Sequence, residues 1–190
     1  MAIDEGEKMK KTIFAIMITL LLTSCSTNKA EVNNEQSVKF SAPSTCEQTK
    51  VVAAFDAQVK GSKYVPTDWQ PSEGTDLFDA INNGGIACSY GIQVAEVGGT
   101  ILWANNSNGL WDKKEKQWLA DGQQLVDLPG LDEDKALMLK EGSTAADEMH
   151  VWGVNVLYKG VWIQLNASFL QNIDEAMPII KSAIDSLVTS

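Results

Sequence analysis

No arginine occurs anywhere in the 190 residues; all fifteen cationic side chains are lysine. Acidic residues outnumber them by ten, so the formal net charge is −10. Phosphate and nucleic-acid surfaces are held best by planar arginine forks on a basic face. This chain has neither, which excludes nucleic acid as a partner. The one histidine, His150, is also a limit. Any Ser-His-Asp or Cys-His arrangement would have to be built on it, and it stands beside Glu148 at a strand start. No catalytic residue and no metal ligand set is assigned, and no cofactor is expected.

Cysteine is scarce too, with three in all. Cys25 follows an uncharged run, Ile13 to Leu22, which is preceded by Lys10 and Lys11. A basic start, a short apolar middle and a small-residue end describe an export signal. The apolar run is shorter than the roughly 20 residues a membrane span needs. Asp4, Glu5 and Glu7 do not suit a signal start, which points to translation from Met9. Leu22-Thr23-Ser24-Cys25 resembles the lipobox of bacterial lipoproteins. The resemblance implies cleavage before Cys25, a diacylglycerol on its thiol and an acylated new amino end, as with palmitate. It makes 1–24 a signal peptide and places the protein outside the cytoplasmic membrane, held by lipid. Residues 25–43 are the lipidated cysteine and a polar spacer with too little apolar surface to pack, expected to be disordered.

Residues 44–190 remain as a single domain. Cys46 and Cys88, in an exported protein, are expected as a disulfide. Ser44 with Glu47 has the form of a capping box. Val51, Val52, Phe55 and Val59 then share a helical face that Gly61 ends. Thr75 caps a short helix that stops at Gly84-Gly85. Ile86, Cys88, Tyr90, Ile92 and Val94 alternate with Ala87, Ser89, Gly91 and Gln93, which predicts a strand with one buried face. The disulfide would pin the first helix to this strand. A returning strand at 100–105, a helix carrying Trp111 and Trp118, and short strands at 125–128 and 136–140 follow.

The stretch 148–168 reads as a hairpin turning at Lys159-Gly160. That register puts Tyr158 opposite Val161, Val156 opposite Ile163, Val154 opposite Leu165 and Trp152 opposite Ala167 on one apolar face. On the other face Asn155 meets Gln164 and Gly153 meets Asn166. Ile173, Met177, Ile180, Ile184 and Leu187 make a last helix, with Pro178 in its first turn or kinking it. The fold class is α+β: an antiparallel sheet with helices packed on one face and one disulfide.

The cysteine-bearing amino-terminal helix, "GGIACSYG", "LPGLDEDKA" and the "VLYKGVWIQL" hairpin resemble small actinobacterial envelope lipoproteins of unknown function. More distantly they resemble the extracellular sensor domains of some mycobacterial serine/threonine kinases. In that group a tryptophan usually stands where Tyr90 is here.

Six tryptophans are the richest feature. Trp152 falls on the core face of the hairpin. Trp162 falls on the polar face with Asn155, Gln164 and Asn166, the candidate binding residues. An exposed ring beside amides stacks a sugar or a peptide; a ring beneath a helix belongs to a second core, which the pattern favours. Trp103, Trp111 and Trp118 raise the same pair of readings, and Trp69 reads as a loop anchor. Asp132, Glu133 and Asp134 lack the spacing of a calcium loop and read as a solvated turn. The expected function is a lipid-anchored extracytoplasmic binding or interaction module, without enzymatic activity. Its partner would be envelope glycan, a peptide or an envelope protein. The alternatives are a hydrolase working through two carboxylates and a structural or inhibitory partner of an envelope enzyme.

Overall fold

The computed structural model describes residues 38–141 and 151–190. Cys25, the signal segment and His150 lie outside the described residues. Among the described residues no helix is long and apolar enough to cross a membrane.

Thirteen elements follow in order: β1 (Phe40–Ser41), α1 (Val51–Gln58), β2 (Lys63–Val65), α2 (Asp76–Asn82), β3 (Ile86–Ile92), β4 (Val97–Asn105), α3 (Leu110–Ala120), β5 (Gln124–Leu125), β6 (Lys135–Glu141), β7 (Val151–Tyr158), β8 (Val161–Ala167), α4 (Ile173–Ile184) and β9 (Val188–Thr189). Seven strands form one antiparallel sheet in the order β2-β3-β4-β8-β7-β6-β5. The expected α+β class is borne out. The hairpin forms in the expected register, Tyr158 opposite Val161 through Trp152 opposite Ala167. Its two turn residues, Lys159 and Gly160, both have positive φ, at 48° and 81°. That is the primed geometry whose twist matches the flanking strands.

The first core lies between one sheet face and α1 with α4. Cys88, Tyr90, Ile101, Trp103, Val154, Ile163 and Leu165 pack there against Val51, Phe55, Ile179 and Ile180. Phe55 stacks on Tyr90 with centroids 5.0 Å apart. The indole of Trp103 donates to the Ala183 carbonyl at 3.0 Å, which docks α4 on the strands. Gly99 is needed where β4 passes this layer. A Cβ built there would lie 2.7 Å from the Asn166 carbonyl oxygen and 2.9 Å from Ala167 Cβ. Gly99→Ala should therefore cost about 1–3 kcal/mol through overpacking, read as a lower urea midpoint at unchanged slope.

Helices lie on both faces, and this extends the expectation of one covered face. α1 and α4 cover the first. α2 and α3 cover much of the second, where Ala87, Leu102, Ala104 and Trp162 pack against Ala80, Trp111 and Trp118. The alternation holds over Ile86–Ile92, but not at Val94, which lies in a 3₁₀ turn, Gln93–Ala95, and is exposed rather than on the buried face; the minor side of β3 is built of small residues, Ala87 among them, that a helix can approach.

Three local expectations are corrected, and that for Pro178 is narrowed to its second alternative, a place inside the helix. Cys46 is in a separate 3₁₀ turn, Cys46–Gln48, before α1, and Thr45 at its start makes no side-chain cap. Ser44 instead hydrogen-bonds Gln48 at 2.8 Å, so no capping box forms. Pro178 is past the first turn of α4, whose first residue is Ile173; having no N–H, it leaves the Asp174 carbonyl without its helical donor. The end of the expected spacer is ordered, because Phe40 and Ser41 pair with Thr189 and Val188. Phe40 meets the Tyr158 ring edge-on at 5.8 Å, burial enough to hold a short strand that its flanking polar residues conceal. Thr75 does cap α2, accepting from the Phe78 N–H at 3.2 Å.

Candidate functional site

The second face carries a buried polar ladder. Asn155 accepts from the Trp162 indole at 2.9 Å and from the Gln164 amide at 3.0 Å. Its own amide donates to Gln123 at 2.9 Å. Gln164 also donates to Asp76. Asn166 donates to the Gln164 carbonyl oxygen at 2.9 Å. Asp76 further accepts from the Trp118 indole at 2.9 Å and pairs with Lys114 at 2.6 Å. Lys114, with no exposed side-chain surface, reaches Asp79 at 3.1 Å as well. Burial pulls the Lys114 ammonium down, but its bonds to Asp76 and Asp79 outweigh that and hold it above the usual lysine value.

The four candidate residues of the polar face are thus brought together, but three are covered. Trp162 is wholly buried, Asn155 and Gln164 nearly so. Trp118 packs on Trp162 with centroids 5.2 Å apart, and Trp111 meets Trp118 edge-on at 5.1 Å. Trp162 therefore offers no stacking face to a ligand in this fold. Trp103, Trp111 and Trp118 are core side chains too. Trp69 is a loop anchor, as expected, donating to the Ala87 carbonyl at 2.8 Å. The side chain of Trp152 is not among those described. In the 132–134 turn, Glu133 accepts from the Leu128 N–H at 3.0 Å and Asp132 pairs with Lys159 at the surface.

Asn166 alone of the four reaches an opening. Beyond the edge of α2 and α3, the sheet floor lies bare in a trough of about 430 Å³. Its lining is mixed: apolar residues such as Val65, Ile92 and Val97 alternate with Thr67, Ser89, Gln93, Thr100, Asn166 and Ser168, with Glu96 as its one carboxylate and no lysine. Gly91 and Gly98 face each other across β3 and β4 in its floor. A Cβ on Gly91 would fall 2.2 Å from the Val97 carbonyl oxygen. The glycines thus let the two strands approach closely under the trough.

Sequence reasoning missed Thr67, Glu96, Thr100 and Ser168. The alternation of β4 carried a signal for Thr100 alone; Thr67, Glu96 and Ser168 lie just outside strands, where period-2 alternation says nothing. Which of them stay uncovered depends on where two helices stop.

The trough lies far from where the chain enters the fold. The backbone N–H of Ala42, just after β1, is held by the Asn105 side chain at 3.0 Å. Asn105 ends β4, and Gly98 and Gly99, at its other end, lie in the trough. At about 3.3 Å per residue, the two places are about 20 Å apart along one strand. The stretch from Cys25 to Phe40 spans at most about 50 Å even when fully extended.

No curated protein and no solved structure matches the chain. Residues 9–26 match the family model described as the prokaryotic membrane lipoprotein lipid attachment site, which supports a bacterial lipoprotein anchored by lipid in the cell envelope.

Proposed function

We propose that the chain is a non-enzymatic binding module of the cell envelope, acylated at Cys25 and facing outside the cytoplasm, that holds its partner in the trough. The observation that carries this reading is the pairing of a lipid attachment match at 9–26 with an open trough of mixed apolar and polar lining, at the end of β4 away from Ala42. Acyl chains contribute about 0.8 kcal/mol per buried CH₂, and more than one is needed for a stable anchor. The likeness to actinobacterial envelope lipoproteins and kinase sensor domains belongs to this reading and rests on its motifs alone.

The lining supports binding over hydrolysis. Glycoside hydrolysis by two carboxylates needs both at the scissile bond, and Glu96 stands by itself in the trough. Asp76 and Asp79 do converge, but upon the Lys114 ammonium.

The test is fractionation of cells expressing the chain, with protease added to intact spheroplasts. The native chain should sediment with membranes and be shaved from outside. The native chain should incorporate labelled palmitate, and Cys25→Ser, which should retain its signal, should not. Palmitate on Cys25→Ser, none on the native chain, or protection of the native chain from protease would overturn the anchored, outward reading.

A further inference from the structure

The ladder fixes which way Asn166 points. An indole can only donate and an ionised carboxylate can only accept. The Trp162 indole makes the Asn155 side-chain oxygen an acceptor. Asp76 and Asn155 then take both hydrogens of the Gln164 amide. The Gln164 oxygen is left to accept, so Asn166 must turn its NH₂ toward it. The Asn166 carbonyl oxygen is thereby directed away from Gln164, as an acceptor without a protein donor among the described residues.

Ser168 donates to the Gly98 carbonyl at 3.4 Å, so its hydrogen is committed to backbone and its oxygen keeps a free lone pair. Thr67 and Ser89 share a hydrogen bond at 3.1 Å, and Thr67 also reaches the Val65 carbonyl at 3.0 Å. At the rim, Glu96 adds a charged acceptor. It holds a left-handed backbone, φ 54° and ψ 25°, a conformation that costs a non-glycine residue on the order of 1 kcal/mol. Glycine would relieve that cost at this turn but would bring no carboxylate.

The Asn166 oxygen and the Glu96 carboxylate, on a chain of net charge −10, are matched to a ligand group that donates, while Gln93 and Thr100 in the same lining can either give or accept a hydrogen bond. We propose that the trough binds a protonated primary amine flanked by hydroxyl groups, of the amino-sugar type, with Glu96 pairing the ammonium and Asn166 accepting from it or from a neighbouring hydroxyl. An ammonium brings three donors and no acceptor, and a charge-assisted hydrogen bond is about twice as strong as a neutral one. The negative field of the chain also draws cations toward it. Gln164 and Asn155 act as positioning residues, since they orient Asn166 without touching the trough's contents. This inference rests on the trough being the binding site.

The test is titration of the full ¹⁵N-labelled chain, in detergent micelles, with glucosamine and with N-acetylglucosamine. Glucosamine should shift the amides of Gly98, Thr100 and Ser168 and the side-chain NH₂ of Asn166. It should do so at about a tenth of the concentration that the acetylated sugar needs, because acetylation removes the charge. Glu96→Gln should weaken glucosamine about tenfold and leave N-acetylglucosamine unchanged. Asn166→Leu should weaken both, with a melting temperature that reports whether the fold survives. Equal response to the two sugars, or no effect of Glu96→Gln, would overturn the amine while leaving the trough as a site. No shift there with either sugar would remove both.

Discussion

Lys114→Ala should lower the stability of the folded unit by about 3–5 kcal/mol. Lys114 has no exposed side-chain surface and is the counter-charge for Asp76 and Asp79. It also donates to Gln117 at 2.9 Å within α3. Truncation leaves two partly buried carboxylates facing each other with only the exposed Lys113, 4.0 Å from Asp79, to offset them, and an undercompensated buried charge is what makes breaking such a pair costly. It also opens space between α2 and α3. A compensated variant separates the two causes. Lys114→Met with Asp76→Asn and Asp79→Asn removes all three charges and keeps most of the volume. Because replacing a whole buried ion cluster is often neutral or favourable, that triple variant should recover most of the loss. Urea denaturation followed by tryptophan fluorescence reads both, since Trp111, Trp118 and Trp162 lie in this layer. A Lys114→Ala loss under 1 kcal/mol would show that water replaces the ammonium freely.

The same site sets a pH limit. The Lys114 pKa is raised above its unfolded value of 10.5, so its contribution is complete below that pH. It is lost as pH rises through the folded value. Tyr90 acts in the same direction: burial pushes its hydroxyl up to about 12 from 10.0. Above about pH 10 the folded state keeps protons that the unfolded state releases, and stability must fall with rising pH.

Reduction of the Cys46–Cys88 disulfide should cost about 4 kcal/mol. The two residues are 42 apart in sequence, and closing a loop of that length removes a corresponding entropy from the unfolded chain. For a unit of this size the loss translates to a fall of roughly 8–16 °C in melting temperature. Cys88 is wholly buried beside Tyr90, and the bond ties the 3₁₀ turn before α1 to β3. Paired melts with and without reductant, and of Cys46→Ala/Cys88→Ala, measure it. A shift of less than 2 °C would show that α1 is held by the Phe55–Tyr90 stack and its packing on α4 alone.

Where reading by pattern succeeded, the interactions were local. The β7–β8 register follows from a two-residue turn and period-2 alternation, and both are written within 151–167. Thr75 capping α2 and the glycine stop after it are equally local. The first core was legible because its residues are the large apolar ones of each period. The second core was half legible. Trp111 and Trp118 mark α3, but Lys113 and Lys114 look alike in sequence. Only one of them falls on the buried stripe with Trp111 and Trp118, and two carboxylates on another helix make it tolerable there. The binding face was legible only as a set of polar residues. Asn155, Gln164 and Asn166 were found together, and the fold covered all but the last.

The sequence by itself determined the hairpin, the helix positions, the pairing of two cysteines and the attachment signal. Each is set by residues within a few positions of one another or by the scarcity of alternatives. The tertiary structure alone decided that the sheet is covered on both faces, that β1 pairs with β9, and that the bare remainder is the trough. Those outcomes depend on contacts between segments far apart in the chain, where α2 and α3 end and what lies beneath them. The physical reason is that a polar side chain carries its hydrogen-bonding capacity in its own atoms. Whether that capacity faces a neighbour or a ligand is fixed by whatever packs over it.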